Sequence, residues 1–241
     1  MPGHRTSAQT SRKADPGQPG RRRASHSMEA VITEAVALLD QSGEPALTFR
    51  ALAARLGGGV ASIYWYVSSR EELLARATDH VLEGVLAETQ GGAVSSDPVD
   101  DLRAIAVAFF DAIVCRPWLA AYFMRNTEQQ PNAMRLYERM GQQVLRLGLG
   151  PRESFHAVSA ITGFVVGIAA DLGQEPPPEA VAVGRDAFIS YYADKWRVLD
   201  PTEFPFVHYI VDEFAHHDDT DQFLAGLDLL LDGLRLQAGR R

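Results

Sequence analysis

Several features are scarce in this chain of 241 residues, and each scarcity excludes a class of protein. The single cysteine, Cys115, cannot form a disulfide within the chain, so we expect a reducing, cytoplasmic location. No unbroken run of about 18 apolar residues is present, and the sequence therefore predicts no membrane-spanning segment. Residues 1–25 lack the apolar core of a secretory signal, so none is predicted.

Convincing strand patterns are also missing, because apolar and polar residues do not alternate over any clear stretch. Apolar residues instead recur at spacings of three and four, which is typical of amphipathic helices. Cap residues and prolines mark the helix starts, as at Thr48, Ser69 and Asp97-Pro98. The sequence predicts an all-α fold with nine or ten helices, in which residues 179–198 are weakly helical.

Basic charge is scarce overall, since the formal net charge is −8, which alone argues against a nucleic-acid partner. Residues 1–70, however, carry nine Lys or Arg against five Asp or Glu, and residues 71–241 carry fourteen against twenty-six. A basic end can follow DNA phosphates while an acidic body limits non-specific binding. The alternative is a basic tail on an acidic protein, and charge alone does not decide between them.

The chain divides by composition into three parts. Residues 1–26 are rich in Ser, Pro, Gly and Arg, which predicts a disordered basic arm that either reaches into a DNA groove or is a solvated tail. Helical periodicity begins at Ser27, and we assign residues 27–75 to an N-terminal three-helix domain. Residues 76–241 are assigned to a larger helical domain.

Residues 48–67 have the spacing of a helix-turn-helix. Ala53 permits a close helix crossing, Gly57 can adopt a positive φ, and Ile63 would anchor the second helix in the core. The segment 60–67 carries more aromatic side chains than one short helix usually buries. We therefore expect its rings to face a DNA groove, with their polar tips at phosphates.

These residues resemble the DNA-binding domain of the tetracycline repressor (TetR) family. The similarity is carried by LTFRALAARLG at 47–57, SIYWYV at 62–67 and ELL at 72–74. It implies DNA contacts from eight residues: Arg50, Val60, Ala61, Ser62, Tyr64, Trp65, Tyr66 and Arg70. Two positions, Phe49 and Gly58, depart from the family pattern.

Gly58 stands where the family usually has an apolar residue, which predicts a looser turn and favours a second interpretation. In that interpretation the chain is a ligand-binding or scaffold protein that has lost DNA binding. Phe49 stands where the tetracycline repressor has a threonine, which predicts one phosphate contact fewer.

The C-terminal part resembles, more weakly, that of the tetracycline repressor subgroup, and this implies a homodimer with a four-helix interface. The two most apolar helices, at 151–171 and 220–236, are the candidates, and pairing two heads across a twofold axis suits a palindromic site. The predicted dimer residues are Phe155, Ile161, Phe164, Phe223, Leu227, Leu231 and Leu234. Four glycines would permit close helix approach: Gly163, Gly167, Gly226 and Gly233. The alternative is that both helices are simply core.

The resemblance also implies a small-molecule cavity inside the larger domain. Its predicted lining is Leu86, Ile105, Phe109, Phe123 and Met140. Four of these, all except Phe109, stand where the tetracycline repressor has polar residues that hold its drug and magnesium, so we expect no metal or cofactor. The ligand would then be mostly apolar or aromatic, and the alternative is a filled core without a ligand.

An enzyme is the remaining alternative, and no catalytic residue is predicted. The run His216-His217-Asp218-Asp219 reads as a solvated loop with a helix cap, because adjacent loop residues rarely converge on one ion. Gly57-Gly58-Gly59 follows a helix and lacks the pattern of a phosphate loop. The sequence therefore predicts a homodimeric repressor on a double-stranded DNA operator. A small-molecule inducer would displace the helix that follows the recognition segment and lower operator affinity.

Overall fold

The computed structural model describes residues 27–90, 95–125, 130–174 and 177–240. Over these ranges the chain is helical and contains no strand, which confirms the all-α prediction. Twelve helices are formed there, more than the nine or ten that the sequence predicts. The predicted basic arm, residues 1–26, lies outside the described residues.

The N-terminal domain contains three helices and the start of a fourth. Its helices are α1 (Met28–Ala46), α2 (Phe49–Arg55), α3 (Val60–Ile63) and α4 (Arg70–Glu88). The hydroxyls of Thr48 and Ser69 accept from the backbone N–H groups of Ala51 and Glu72, so both predicted N-caps are present. Gly43, at φ 70°, bends α1 near its end, and the chain then turns into α2.

The C-terminal domain contains the remaining eight helices. They are α5 (Pro98–Val114), α6 (Pro117–Arg125), α7 (Pro131–Leu145), α8 (Pro151–Leu172), α9 (Pro178–Val183), α10 (Arg185–Arg197), α11 (Pro205–His216) and α12 (Asp219–Gly239). Six of them begin at a proline, whose fixed φ suits the first helical position. The predicted single helix at 179–198 is two helices, because Gly184 at φ 85° breaks it.

One helix joins the two domains. We call residues 27–75 the head and the described residues from 76 onward the body. α4 packs against α1 in the head and against α5 and α7 in the body. The predicted boundary at residue 75 therefore falls inside a continuous helix, and the two domains share a rigid element.

The helix α8 is long and apolar enough to cross a membrane by length and composition, with a mean hydropathy of 1.6 over its most apolar window. The sequence search for an unbroken apolar run missed it because polar residues interrupt the helix. α8 packs against α5, α6, α7 and α12, and a core helix meets the same criteria. Its inner face therefore belongs to the body's core.

Most of the predicted dimer residues lie in that core, which corrects the prediction. Five of the seven are buried within the single chain: Ile161, Phe223, Leu227, Leu231 and Leu234. The ring of Phe223 stacks on Phe110 at 3.6 Å between centroids and on Phe164 at 5.6 Å. Phe164 is half-buried, and Phe155 is exposed, at 61%.

Another side of α8 and α12 remains open. Leu229 and Leu236 of α12 are 76% and 59% exposed, and Cβ atoms added at Gly163, Gly167 or Gly233 would meet nothing within 4 Å. Helices that are apolar on both sides conceal which side faces outward, and this is why the sequence chose five residues that are buried within the chain.

Gly226 also has a different role from the predicted one. A Cβ at this position would lie 2.5 Å from Cζ of Phe164, so the glycine serves the packing of α12 on α8 within the chain. The Phe164 ring cannot retreat freely because it stacks on Phe223.

We expect Gly226→Ala to lower the free energy of unfolding by about 1–3 kcal/mol, since the added methyl overpacks the Phe164 ring. The control is Gly84→Ala, at an exposed position inside α4 with no neighbouring atom within 4 Å. That variant should be more stable than wild type by about 0.5–1 kcal/mol. Urea denaturation measures both, and an unaltered midpoint for Gly226→Ala would contradict the close packing.

Candidate functional site

The turn between α2 and α3 is closed by two backbone hydrogen bonds. The N–H of Gly57 donates to the carbonyl of Ala54 at 3.2 Å, and that of Gly58 donates to the carbonyl of Ala53 at 2.9 Å. Gly57 has a φ of 69°, as predicted. This is the paired pattern of a Schellman motif, in which the second residue after the cap usually adds an apolar contact. Gly58 lacks that contact, but the predicted looser turn was wrong, because both bonds form.

The apolar residues of the motif hold it together from inside. Leu52, Ala53 and Ile63 are 0%, 3% and 0% exposed, so they pack the two helices and face the core. α3 itself is shorter than the predicted 60–67, and residues 64–66 continue as a turn.

The polar and aromatic residues of the recognition segment lie on its outer side. Trp65 is 88% exposed and Tyr64 is 60% exposed, although both are large rings. Four further predicted DNA contacts are at least partly exposed: Arg50, Val60, Ala61 and Ser62. Tyr66 is half-buried. The segment therefore leaves apolar and hydrogen-bonding surface in water that its own core does not use.

Phe49 supports this arrangement from the start of α2. Its ring packs edge-on against that of Tyr64, with centroids 4.8 Å apart and planes at 78°. Such a contact is the preferred geometry for two aromatic rings. Where the tetracycline repressor has a threonine, this chain thus has a side chain that fixes the direction of Tyr64.

Arg70 has a role that the sequence did not predict. Its Nε donates to the carbonyl of Leu47 at 2.9 Å, and its Nη2 donates to the carbonyl of Glu44 at 2.6 Å. The guanidinium also pairs with the Glu44 carboxylate at 3.3 Å. The guanidinium thus fastens the start of α4 to the corner between α1 and α2, and the phosphate contact of Arg70 stays a prediction.

Glu72 closes the corner between the recognition segment and α4. Its Oε2 accepts from the hydroxyl and the backbone N–H of Ser68, at 2.6 and 2.7 Å, and its Oε1 accepts from Nε of Arg76 at 2.9 Å. The Ser68 hydrogen bonds, followed by the Arg76 contact, lower the pKa of Glu72 from 4.5 to about 2. Near neutral pH the carboxylate is therefore charged, and it holds the residue before α4 against the first turn of that helix.

The five predicted ligand residues all belong to the body's interior. Leu86, Ile105, Phe109 and Met140 are buried, and Phe123 packs against them half-buried. Phe109 and Phe123 meet edge-on with centroids 5.5 Å apart. α4 also carries a buried polar group, since the hydroxyl of Thr78 is enclosed and has no hydrogen-bond partner among the described residues.

The histidine loop carries no metal constellation. Asp218 accepts from the N–H groups of Thr220 and Asp221 as the N-cap of α12, and Nε2 of His217 lies 3.3 Å from Oδ1 of Asp219. Within the described ranges, no three His, Cys, Asp or Glu residues come together as ion ligands. The predicted helix cap is present at Asp218.

Two family descriptions match the chain. Residues 31–77 match "Bacterial regulatory proteins, tetR family", and residues 96–238 match "Tetracyclin repressor-like, C-terminal domain". Together they cover nearly all of the head, the first part of α4, and the body from the start of α5 almost to the end of α12.

Individual relatives agree with these matches. A TetR transcriptional regulator from Streptomyces coelicolor is 37% identical, covers 87% of this chain and 97% of its own, and superposes with a TM-score of 0.74. ActR from the same organism, solved in complex with actinorhodin, has the same fold at 24% identity, covering 90% and 98%, with a TM-score of 0.77. A curated helix-turn-helix regulator from Saccharopolyspora erythraea is 29% identical over 139 residues, but the match spans only 58% of each chain.

The lowered pKa of Glu72 predicts that the stability difference between wild type and a variant without this carboxylate depends on pH. A carboxylate with a folded pKa of about 2 stabilises the fold above its unfolded pKa of 4.5, and this contribution disappears as the pH falls from 4.5 towards 2. Glu72→Gln should therefore be less stable than wild type at pH 7, by less than about 1 kcal/mol because the site is partly solvated. Denaturant midpoints should converge at low pH. A difference that persists unchanged below pH 3 would contradict this role.

Proposed function

The chain belongs to the tetracycline repressor family of helix-turn-helix transcriptional regulators, and on that premise we propose that it represses transcription from a palindromic operator. It binds the operator as a homodimer and is released by a small, mostly apolar or aromatic molecule. The observation that supports this most is the outward position of Tyr64 and Trp65, which are 60% and 88% exposed beside a fully packed anchor, Ile63.

The chemistry of the recognition segment fits duplex DNA. Backbone phosphates are bound by cationic and hydroxyl groups, here Arg50 and Tyr64, and these contacts set the register. Base edges and thymine methyls are read by small polar and apolar groups, here Ser62 and Ala61. The hydroxyl of Ser62 already donates to the carbonyl of Gly59 at 2.6 Å, which leaves its oxygen lone pairs to accept from a base.

The homodimer would form on the open side of α8 and α12. Leu229 and Leu236 supply exposed apolar area there, and Gly163, Gly167 and Gly233 let a facing helix approach closely. One short recognition helix reads only a few base pairs, so pairing two heads multiplies affinity and selects a twofold-symmetric site.

The ligand would bind in the body among Leu86, Ile105, Phe109, Phe123 and Met140. Small-molecule sites are mostly apolar, as this set of residues is. ActR supports the idea that this fold can accommodate a small molecule. A ligand that favours a displaced α4 shifts the population away from the DNA-binding state.

The DNA-binding proposal predicts two distinct variant phenotypes. Trp65→Ala should weaken binding to a duplex selected from random sequence on the order of tenfold or more, without loss of stability, because the ring is exposed. Arg50→Gln should weaken binding to all sequences alike and reduce the salt slope of the affinity by about 1 per head. Fluorescence anisotropy at several salt concentrations measures both.

A matched control for Trp65→Ala is Tyr209→Ala, which removes a ring that is 85% exposed on α11. It should leave the affinity for DNA unchanged. If Trp65→Ala binds the selected duplex as tightly as wild type does, the proposed DNA interface is wrong.

The dimer proposal predicts that Leu229→Glu combined with Leu236→Glu gives monomers in sedimentation velocity, because buried unpaired charges oppose association. Leu145→Glu, at an exposed leucine of α7, is the control and should remain dimeric. The double variant should also lose cooperative binding to a palindrome. If it stays dimeric, the interface lies elsewhere.

A further inference from the structure

A cleft of about 480 Å³ lies between α9 and α10, and none of the five predicted ligand residues lines it. We propose that this α9–α10 cleft is a separate binding site for a planar aromatic carboxylate. The inference goes beyond the proposed function, because it concerns neither the operator nor the interior of the body. The lining residues on which it depends are Glu179 and Val183 of α9, and Phe188, Tyr191, Tyr192 and Lys195 of α10.

The cleft is formed by the turn at Gly184, which folds α9 back against α10. Gly184 has a φ of 85°, a conformation that other residues adopt only with strain, and its N–H donates to the carbonyl of Ala180 at 2.8 Å. Its carbonyl accepts from the N–H of Phe188 at 3.0 Å. One residue therefore ends α9 and begins α10, and the cleft between them is already formed, as small-molecule sites usually are.

Three aromatic rings of α10 line the cleft, because their residues recur at helical spacing. Phe188 and Tyr192 meet edge-on with centroids 4.9 Å apart, and Tyr191 stands at 79° to Tyr192. Rings at such steep angles keep faces uncovered for a further ring, whereas the nearby rings of Trp196 and Phe214 stack on each other at 4.0 Å. Tyr191 and Tyr192 are 55% and 40% exposed, so the cleft presents aromatic surface to a planar molecule.

The lysine of the cleft lies beside these rings. Nζ of Lys195 is 4.3 Å from the ring centroid of Tyr191 and 5.3 Å from that of Tyr192, which is the range of a cation–π contact. A hydrogen bond with Tyr191 raises the pKa of Lys195, and the ammonium therefore stays charged near neutral pH. A molecule placed on the rings thus has a positive charge within reach.

Lys195 differs from the arginines of the same helix in its partners. Arg185 pairs with Asp219 at 2.6 Å, and Arg197 pairs with Asp212 at 2.7 Å. Lys195 contacts only tyrosines, with no carboxylate partner in the part of the chain that the structure describes. Its charge is therefore available to a carboxylate that enters the cleft.

The charges of the cleft also limit the ligand to a single negative charge. A cation is disfavoured because the ammonium of Lys195 already lies over the rings. Glu179, on the α9 wall, repels a second negative charge. Val183 is 58% exposed and adds apolar surface for the body of the ligand. A monoanion with one or two fused rings fits this combination.

Calorimetric titration of the full-length protein with 2-naphthoate tests the site, and 2-naphthamide provides the same ring system without the charge. We expect wild type to bind the carboxylate about fivefold more tightly than the amide, the upper range for an ion pair in contact with water. Lys195→Gln should abolish this preference. Tyr192→Ala should weaken the binding of both compounds about tenfold, because a ring face is lost.

Two control variants change exposed side chains outside the cleft. Arg197→Gln removes a positive charge on the same helix as Lys195, and it should keep the preference for the carboxylate. Tyr209→Ala removes a ring that is 85% exposed on α11, and it should keep the affinity for both compounds.

Three outcomes would overturn the site. One is an unchanged preference in Lys195→Gln or an unchanged affinity in Tyr192→Ala, since the compound then binds elsewhere in the body. Another is a wild-type protein that binds no 2-naphthoate. The third is binding by the Leu229→Glu, Leu236→Glu variant alone, because a second copy of the chain would then cover the cleft in the dimer. Each of these outcomes leaves the proposed function standing, since none of them concerns the operator.

Discussion

The attachment of α4 is the constraint on which the rest of the structure depends. Its first residue, Arg70, is bonded to the carbonyls of Glu44 and Leu47, and Glu72 closes the preceding corner onto Ser68. The recognition segment lies in the stretch of chain between Leu47 and Arg70, whose two ends these hydrogen bonds hold together. Its orientation is therefore tied to that of α4. The same helix continues into the body against α5 and α7, so a change in body packing that moves α4 also moves the start of α4 in the head.

The recognition segment keeps large aromatic rings exposed that burial in the core would otherwise stabilise. Folding alone favours burial of rings as large as Trp65, yet this ring stays 88% exposed, and Phe49 braces Tyr64 in its outward position. Exposure of this kind is accounted for when a partner covers the surface. Duplex DNA also explains the contrast between a basic N-terminal part and an acidic remainder.

Local signals in the sequence predicted much of the fold. Contacts between residues that are far apart in the sequence could not be predicted from such signals. Thr48, Ser69 and the prolines fixed the helix starts, because capping depends on neighbours in sequence. The dimer side could not be deduced, since α8 and α12 are apolar on both sides. The sequence assigned Arg70 to DNA by family resemblance and did not predict its carbonyl acceptors, which lie 23 and 26 residues away. The pairing of Asp40 with Trp118, 78 residues apart, leaves no periodic trace.

Hydroxyl-radical footprinting on the DNA upstream of the protein's own gene, repeated at rising salt, tests the central claim most directly. If the outward segment of each head reads a groove, two half-sites should be protected on one face of the duplex, separated by whole helical turns of about 10 base pairs. Their occupancy should fall steeply with salt. Uniform protection without sequence preference, or binding that salt does not weaken, would contradict the account.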